Sequence, residues 1–232
     1  MTIETTAPNT EPCLLSIGST QLINAKGPSI QRSQTQLLEM LTWTLEYTGR
    51  TNAQMANQLA ISESTSRSYL CRLRRWLGND QEGNPYLPLA YSHRIWISPL
   101  VRWDIQEALQ YLGRDPSARD DGSLLAALEL IRGPVFSDIG RGKWRWADPL
   151  RVHVTTLLVD AAIETIKRAK ARNDADLALW AALKGLMVCP WHKPMQLAFD
   201  RLRHQTGPEI RINIKEFIDK NWEIWNQTED GW

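Results

Sequence analysis

The stretch from Ser62 to Gly78 carries its own start and stop signals, and the rest of the chain has to fold around it. Ser62 or Ser64 offers a short hydroxyl that can accept from an orphan N–H of a first helical turn. Gly78 offers the left-handed conformation that commonly ends a helix. Between them Leu70, Leu73 and Leu77 recur at helical spacing and form one apolar edge. The opposite side carries Ser64, Ser68, Arg72 and Arg75, with Thr65 and Cys71 beside them and Arg67 and Arg74 on the flank. A greasy back and a front of small hydroxyls among arginines suits a DNA major groove. Small residues permit close approach, and arginine reaches phosphates or guanine edges. The same pattern also describes an ordinary amphipathic helix with a solvated basic face, so the neighbouring segments decide between the two.

Those neighbours supply a context. Ser33 to Tyr47 is predicted to be a helix, with Leu37, Leu38, Leu41 and Leu45 inward and Thr48-Gly49 as its stop. Thr51 or Asn52 caps a second helix whose inner face is Met55, Ala56 and Leu59. A short turn at Ile61-Ser62 leads into the basic helix, which is the helix-turn-helix order. After Gly78 and a polar loop, Tyr86–Ala90 and Arg94–Ile97 read as two strands of a hairpin wing, with Arg94 placed to reach a minor groove or phosphates. Ahead of all this, residues 1–12 read as a disordered lead or linker. Cys13–Ile17 and Thr20–Asn24 read as small antiparallel strands.

The second half is helical in blocks. A short helix is expected from Trp103-Asp104 to Leu112, a hinge or loop over Gly113–Gly122, a helix over Ser123–Ile131 and an irregular stretch over Val135–Asp148. Further helices are expected at about Pro149–Ala171, Asp174–Val188, Pro190–Thr206 and Pro208–Asn226. The breaks at Asn173-Asp174, Cys189-Pro190 and Gly207-Pro208 fall 16 and 18 residues apart. That is the rhythm of helix pairs in a tetratricopeptide-like array, whose full repeat is about 34 residues.

Composition narrows the function. The net charge of +1 exerts no global pull on nucleic acid, but residues 33–102 hold seven arginines against five acids, while residues 103–232 are balanced at 18 basic and 19 acidic groups. Three scattered cysteines, no Cys/His group at metal spacing, no secretory signal and no long apolar run predict a cytoplasmic protein without membrane contact, metal or cofactor. Motifs of nucleophilic, phosphate-binding or metallohydrolase enzymes are missing, which argues against an enzyme. Eleven tryptophans are spread along the chain; Trp144 and Trp146, in the irregular stretch, are the candidates for a partner-binding surface.

Two motifs carry a resemblance. Thr65-Ser66-Arg67-Ser68-Tyr69-Leu70-Cys71-Arg72-Leu73-Arg74-Arg75-Trp76-Leu77-Gly78 is similar to the recognition helix of the bacterial transcriptional activator family, which typically reads Leu-Arg-Ser-Tyr-Val-Ser-Arg-Leu-Arg-Arg. Ala127-Leu128 followed by Arg132-Gly133-Pro134-Val135-Phe136-Ser137-Asp138 resembles that family's Ala-Leu…Trp-Arg-Gly-Pro-Pro-Leu entry to its helical domain, and Cys189 to Met195 resembles its tail. The family includes the actinobacterial antibiotic regulators of SARP type. Ser66 stands where the family usually has an apolar residue, and Asn57–Ala60 lacks the usual Leu-Trp element.

The resemblance implies a mainly α fold with a small β-sheet and a β-wing: a winged helix-turn-helix over 13–102, an all-α tetratricopeptide-like activator domain over 103–226 and a tail over 227–232. It implies a transcription regulator of double-stranded DNA, with Ser64, Thr65, Arg67, Ser68, Arg72, Arg74, Arg75 and Arg94 as DNA-binding residues. The helical domain would serve homodimerisation or contact with RNA polymerase or another protein. The alternative reading is a protein–protein interaction or signalling module, such as the cytoplasmic part of a larger protein, whose winged helix no longer binds DNA.

Overall fold

A computed structural model describes residues 10–30, 32–89, 93–140 and 142–203. The chain is mainly helical with a small three-stranded sheet, in the order β1 (Cys13–Leu15), β2 (Gln21–Ile23), α1 (Gln34–Glu46), α2 (Asn52–Gln58), α3 (Glu63–Leu77), β3 (Arg102–Trp103), α4 (Asp104–Leu112), α5 (Asp121–Glu129), α6 (Asp148–Ala171), α7 (Ala175–Val188) and α8 (Lys193–Arg203). It divides into two compact units. The first takes in the chain up to Ser16, then Thr20–Gln106 and Trp144–Ala147; the second takes in Ile17–Ser19, Glu107–Lys143 and the chain from Asp148 on. Each unit therefore borrows a short piece from the other's stretch of sequence, where a single boundary at 102/103 was expected.

In the first unit β1 is central. It pairs antiparallel with β2 in the register Cys13↔Ile23, Leu14↔Leu22 and Leu15↔Gln21, and parallel with β3 through Cys13↔Arg102 and Leu14↔Trp103. Leu14 is fully buried, as are Leu37, Leu41, Met55, Leu73, Leu77, Tyr86 and Leu87, so the sheet and α1–α3 share one core. The helices start where the sequence places their caps. Thr51 closes a reciprocal capping box with Gln54, and Ser62 accepts from Thr65 N–H at 3.1 Å.

Three expectations change here. The lead does not run to residue 12: Pro12 is buried, Glu11 accepts from the Tyr86 hydroxyl, and Lys26 donates to the Thr10 carbonyl. Residues 1–9 lie outside the described residues. Trp103 belongs to β3 and not to the helix that follows.

The third change concerns the wing. Tyr86–Leu89 and Arg94–Ile97 form no strands among the described residues, and Ala90–Ser92 lie outside them. Their backbone groups are satisfied elsewhere. Tyr86 N–H donates to Gly78 at 3.1 Å, Ile95 N–H donates to Arg50 at 2.8 Å, and Gly49 N–H donates to Ile95 at 2.7 Å. An N–H already bonded to the α1–α2 turn is lost to a hairpin ladder.

The second unit is built from α5 to α8, each packed on its neighbour in sequence. Gly185 marks a close approach: a Cβ there would lie 3.1 Å from Ala162 Cβ of α6 and 2.7 Å from Met195 Cε of α8. Asp120 caps α5, its side chain accepting from Ser123 N–H at 2.9 Å, so the helix starts two residues before the predicted Ser123. The Gly113–Gly122 stretch contains a 3₁₀ turn over Pro116–Ala118. The predicted Pro190–Thr206 helix starts later, at Lys193 of α8, and residues 204–206, Pro208–Asn226 and the 227–232 tail lie outside the described residues.

Candidate nucleic-acid interface

α3 is positioned from its back and from both ends. Leu70, Leu73, Trp76 and Leu77 are buried, each worth about 1.5–3 kcal/mol relative to exposure. Ser66, on the same inward side, is fully buried, and its Oγ donates to Met55 Sδ of α2 at 3.4 Å. Ser66 is thus a buried hydroxyl with a soft partner. At the N-terminus Ser62 is the cap, and it also bonds the hydroxyls of Ser64 at 2.9 Å and Thr65 at 2.8 Å.

The C-terminal end is closed from a distance. Lys26 N–H donates to the Leu77 carbonyl and Gly27 N–H to the Trp76 carbonyl, both at 3.0 Å. These carbonyls have no partner inside the helix, so the 26–27 backbone acts as a cap in trans. A Cβ on Gly27 would sit 1.7 Å from the Arg75 carbonyl oxygen. Gly78, at φ 77°, is packed on Lys26 and Gly27 in turn. Lys26-Gly27-Pro28 reads only as a turn in the sequence, and no local signal tells which helix it will close.

The front of α3 separates into side chains facing solvent and side chains tied down. Ser64, Ser68, Cys71 and Arg75 are exposed, and Thr65 and Arg72 are half-buried. Arg67 pairs with Glu63 at 2.9 Å, the two side chains being 69% and 50% exposed. Arg72 donates through Nη2 to the Arg32 carbonyl at 2.6 Å and lies 5.7 Å from the Tyr69 ring centroid. Arg74 donates through Nε to Leu87 O at 2.7 Å and through Nη2 to Pro88 O at 3.1 Å; burial pushes its guanidinium below the ordinary value. Arg94 donates through Nη1 to Gly49 O at 2.9 Å. No hydrogen bond or ion pair of the Arg75 side chain occurs among the described residues. Beside the helix runs a groove of about 600 Å³, between the Arg67–Cys71–Arg74 edge and Leu89, His93 and Ile95.

Trp144 and Trp146 do not form an open surface. Trp144 is 5% exposed and packs inward. The Trp146 indole donates to Glu39 at 3.2 Å, and its ring lies 5.9 Å from that of Tyr47. Burial raises the Glu39 carboxyl, and the Trp146 hydrogen bond opposes that shift. The irregular sequence around these two residues had suggested exposure, but apolar rings in a loop are drawn into a core like any others.

Among the described residues no group of His, Cys, Asp and Glu is placed to hold a metal ion. Cys13 and Cys189 are buried, and burial pushes the Cys189 thiol up, away from thiolate reactivity. No helix among the described residues is long and apolar enough to cross a membrane. No family model matches the chain, and no curated protein or solved structure matches it.

Proposed function

We propose that this chain is a transcription regulator that binds double-stranded DNA by inserting α3 into the major groove. The first unit is read as a helix-turn-helix domain of winged type, with the segments 86–89 and 94–97 in the place of the wing. The helices of the second unit are read as a tetratricopeptide-like array for dimerisation or for contact with RNA polymerase or another protein. One observation carries the DNA reading: α3 is fixed along its back and at both ends, while Ser64, Ser68, Cys71 and Arg75 face solvent together. A rigid helix with small polar residues and a cation on its free side is what groove insertion requires.

The decisive experiment is a gel-shift titration of the intact chain on genomic fragments from its own neighbourhood, repeated with the Arg72→Ala/Arg75→Ala double variant. Retardation by wild type at about 50 mM salt, weakened in the variant, supports the reading. No retardation of any fragment by wild type sinks it.

A second reading has its own support. Arg72, Arg74 and Arg94 are bonded to the protein's own carbonyls, which favours an interaction module in which this face no longer meets DNA. Failure to bind DNA at low salt, together with capture of a defined protein partner through the second unit, would establish that alternative.

A further inference from the structure

We infer that the arginines around α3 have two different jobs: Arg67 and Arg75 are the phosphate ligands, and Arg74 and Arg94 are struts that position the segments beside the helix. This assignment rests on the DNA reading for its first half only. The second half concerns the protein itself and can be tested without DNA.

Hydrogen-bond geometry separates the two classes. The Arg74 guanidinium forks onto two successive carbonyls, Leu87 and Pro88, and Leu87 is fully buried beneath it. These bonds hold the 87–89 segment against α3 and with it one wall of the groove. Turning Arg74 outward to a phosphate would strip both carbonyls of a charged donor. Arg94 does the equivalent on the other side. Its Nη1 bonds the Gly49 carbonyl, and its backbone bridges to Thr51, so the 94–95 segment is laced to the α1–α2 turn. Turning either side chain outward would release the carbonyl it holds.

Arg67 and Arg75 have no such commitment. Arg75 is exposed, without a side-chain partner among the described residues. Arg67 is held only by Glu63 in an exposed i,i+4 ion pair, a weak and salt-sensitive contact that a phosphate displaces easily. Arg72 reaches Arg32 with one nitrogen and is assigned to neither class.

The test measures two independent quantities on the full-length chain: the slope of log affinity against log salt for a mixed-sequence duplex about three helical turns long, and the thermal midpoint. Arg67→Gln and Arg75→Gln should each lower the slope by about one unit and leave Tm unchanged. Arg74→Gln and Arg94→Gln should leave the slope unchanged and lower Tm by about 2–6 °C.

Arg74→Lys sharpens the distinction, because lysine keeps the charge but not the two-pronged geometry. A strut predicts that Arg74→Lys loses Tm as Arg74→Gln does, whereas a phosphate ligand predicts that it retains both Tm and slope. A slope lowered by about one unit in Arg74→Gln, with Tm intact, overturns the assignment. If wild type binds no DNA at low salt, the DNA reading falls and takes the phosphate role of Arg67 and Arg75 with it. The strut role then stands or falls on the Tm values alone.

Discussion

Asp104 holds the backbone N–H of Ser16 between both carboxylate oxygens, at 2.9 and 2.8 Å, across 88 residues of sequence. Both residues are buried, and Ser16 Oγ accepts in turn from the Trp103 indole at 3.0 Å. The contact fixes the end of β1 to the first turn of α4. Asp104→Ala should destabilise the chain by about 1–3 kcal/mol, because it leaves a buried N–H without an acceptor. Asp104→Asn retains one acceptor oxygen and should lose less. Urea unfolding measures both as a lowered midpoint at constant m; equal losses in the two variants would show that packing and not the acceptor matters.

Gly27→Ala should be among the most damaging single-methyl additions to this chain. The new Cβ meets backbone and not a flexible side chain, so α3 or the 26–27 segment must move. A loss of about 3 kcal/mol or more is expected, at the upper end for overpacking. A calorimetric Tm equal to that of wild type would mean that the two segments are not in contact.

Ser66 tests how tightly α2 and α3 are fitted. Ser66→Ala deletes one weak bond to Met55 and should change stability by less than about 1 kcal/mol. Ser66→Leu, which restores the apolar type usual in the resembled family, should destabilise by about 1–3 kcal/mol because the site is already filled. A more stable Ser66→Leu variant in denaturant titration would show that unfilled space remains there.

Asp121 links α5 to α6 through Arg168 at 2.9 Å, and to the residue just after that helix, Arg172. Hydrogen bonds from Arg172 and then Arg168 hold its carboxyl below the ordinary value of 3.8. A depressed carboxyl stabilises the folded state above its unfolded pKa, and that contribution disappears as pH falls through the folded pKa. Asp121→Asn should therefore lower Tm at about pH 7, and the gap from wild type should narrow as pH falls below the ordinary carboxylate value. A gap that persists unchanged in acid would rule out the carboxylate charge as its source.

Tyr86 behaves in the opposite sense. Burial first, then its hydrogen bond to Glu11, pushes the phenol up to about 12 from 10.0. A raised value gives stability that is complete below the unfolded pKa and is lost as pH rises through the folded one. Wild type should thus lose Tm between about pH 10 and pH 12, and Tyr86→Phe should show a shallower decline over that range. Parallel declines would assign the alkaline loss to other groups.

The parts that were legible in the sequence are those governed by short-range rules. Thr51 and Ser62 announce their helices because a cap acts on N–H groups two or three residues away. The leucines of α1 and α3 face inward as their spacing requires. The described parts of the wing segment form no strands because short apolar runs between turn signals show that a stretch is extended, not which edge it will join; the Arg50 and Gly78 carbonyls take the Ile95 and Tyr86 N–H groups. The arginines of α3 were legible as a face and not as individual roles. Arg74 and Arg75 are adjacent and chemically identical, and what separates them is a pair of main-chain carbonyls that any residues at 87 and 88 would present. Trp144 shows the same limit, since its burial depends on where its loop returns.

The closure of α3 by Lys26 and Gly27 also bears on the order of assembly. Synthesis delivers the N-terminal residues first, so both amides have already emerged when the helix they terminate leaves the ribosome. A circular permutant opened between Pro28 and α1 would make residues 10–30 last and invert that sequence of events. Its helix would wait with bare carbonyls for a terminator made at the end of translation.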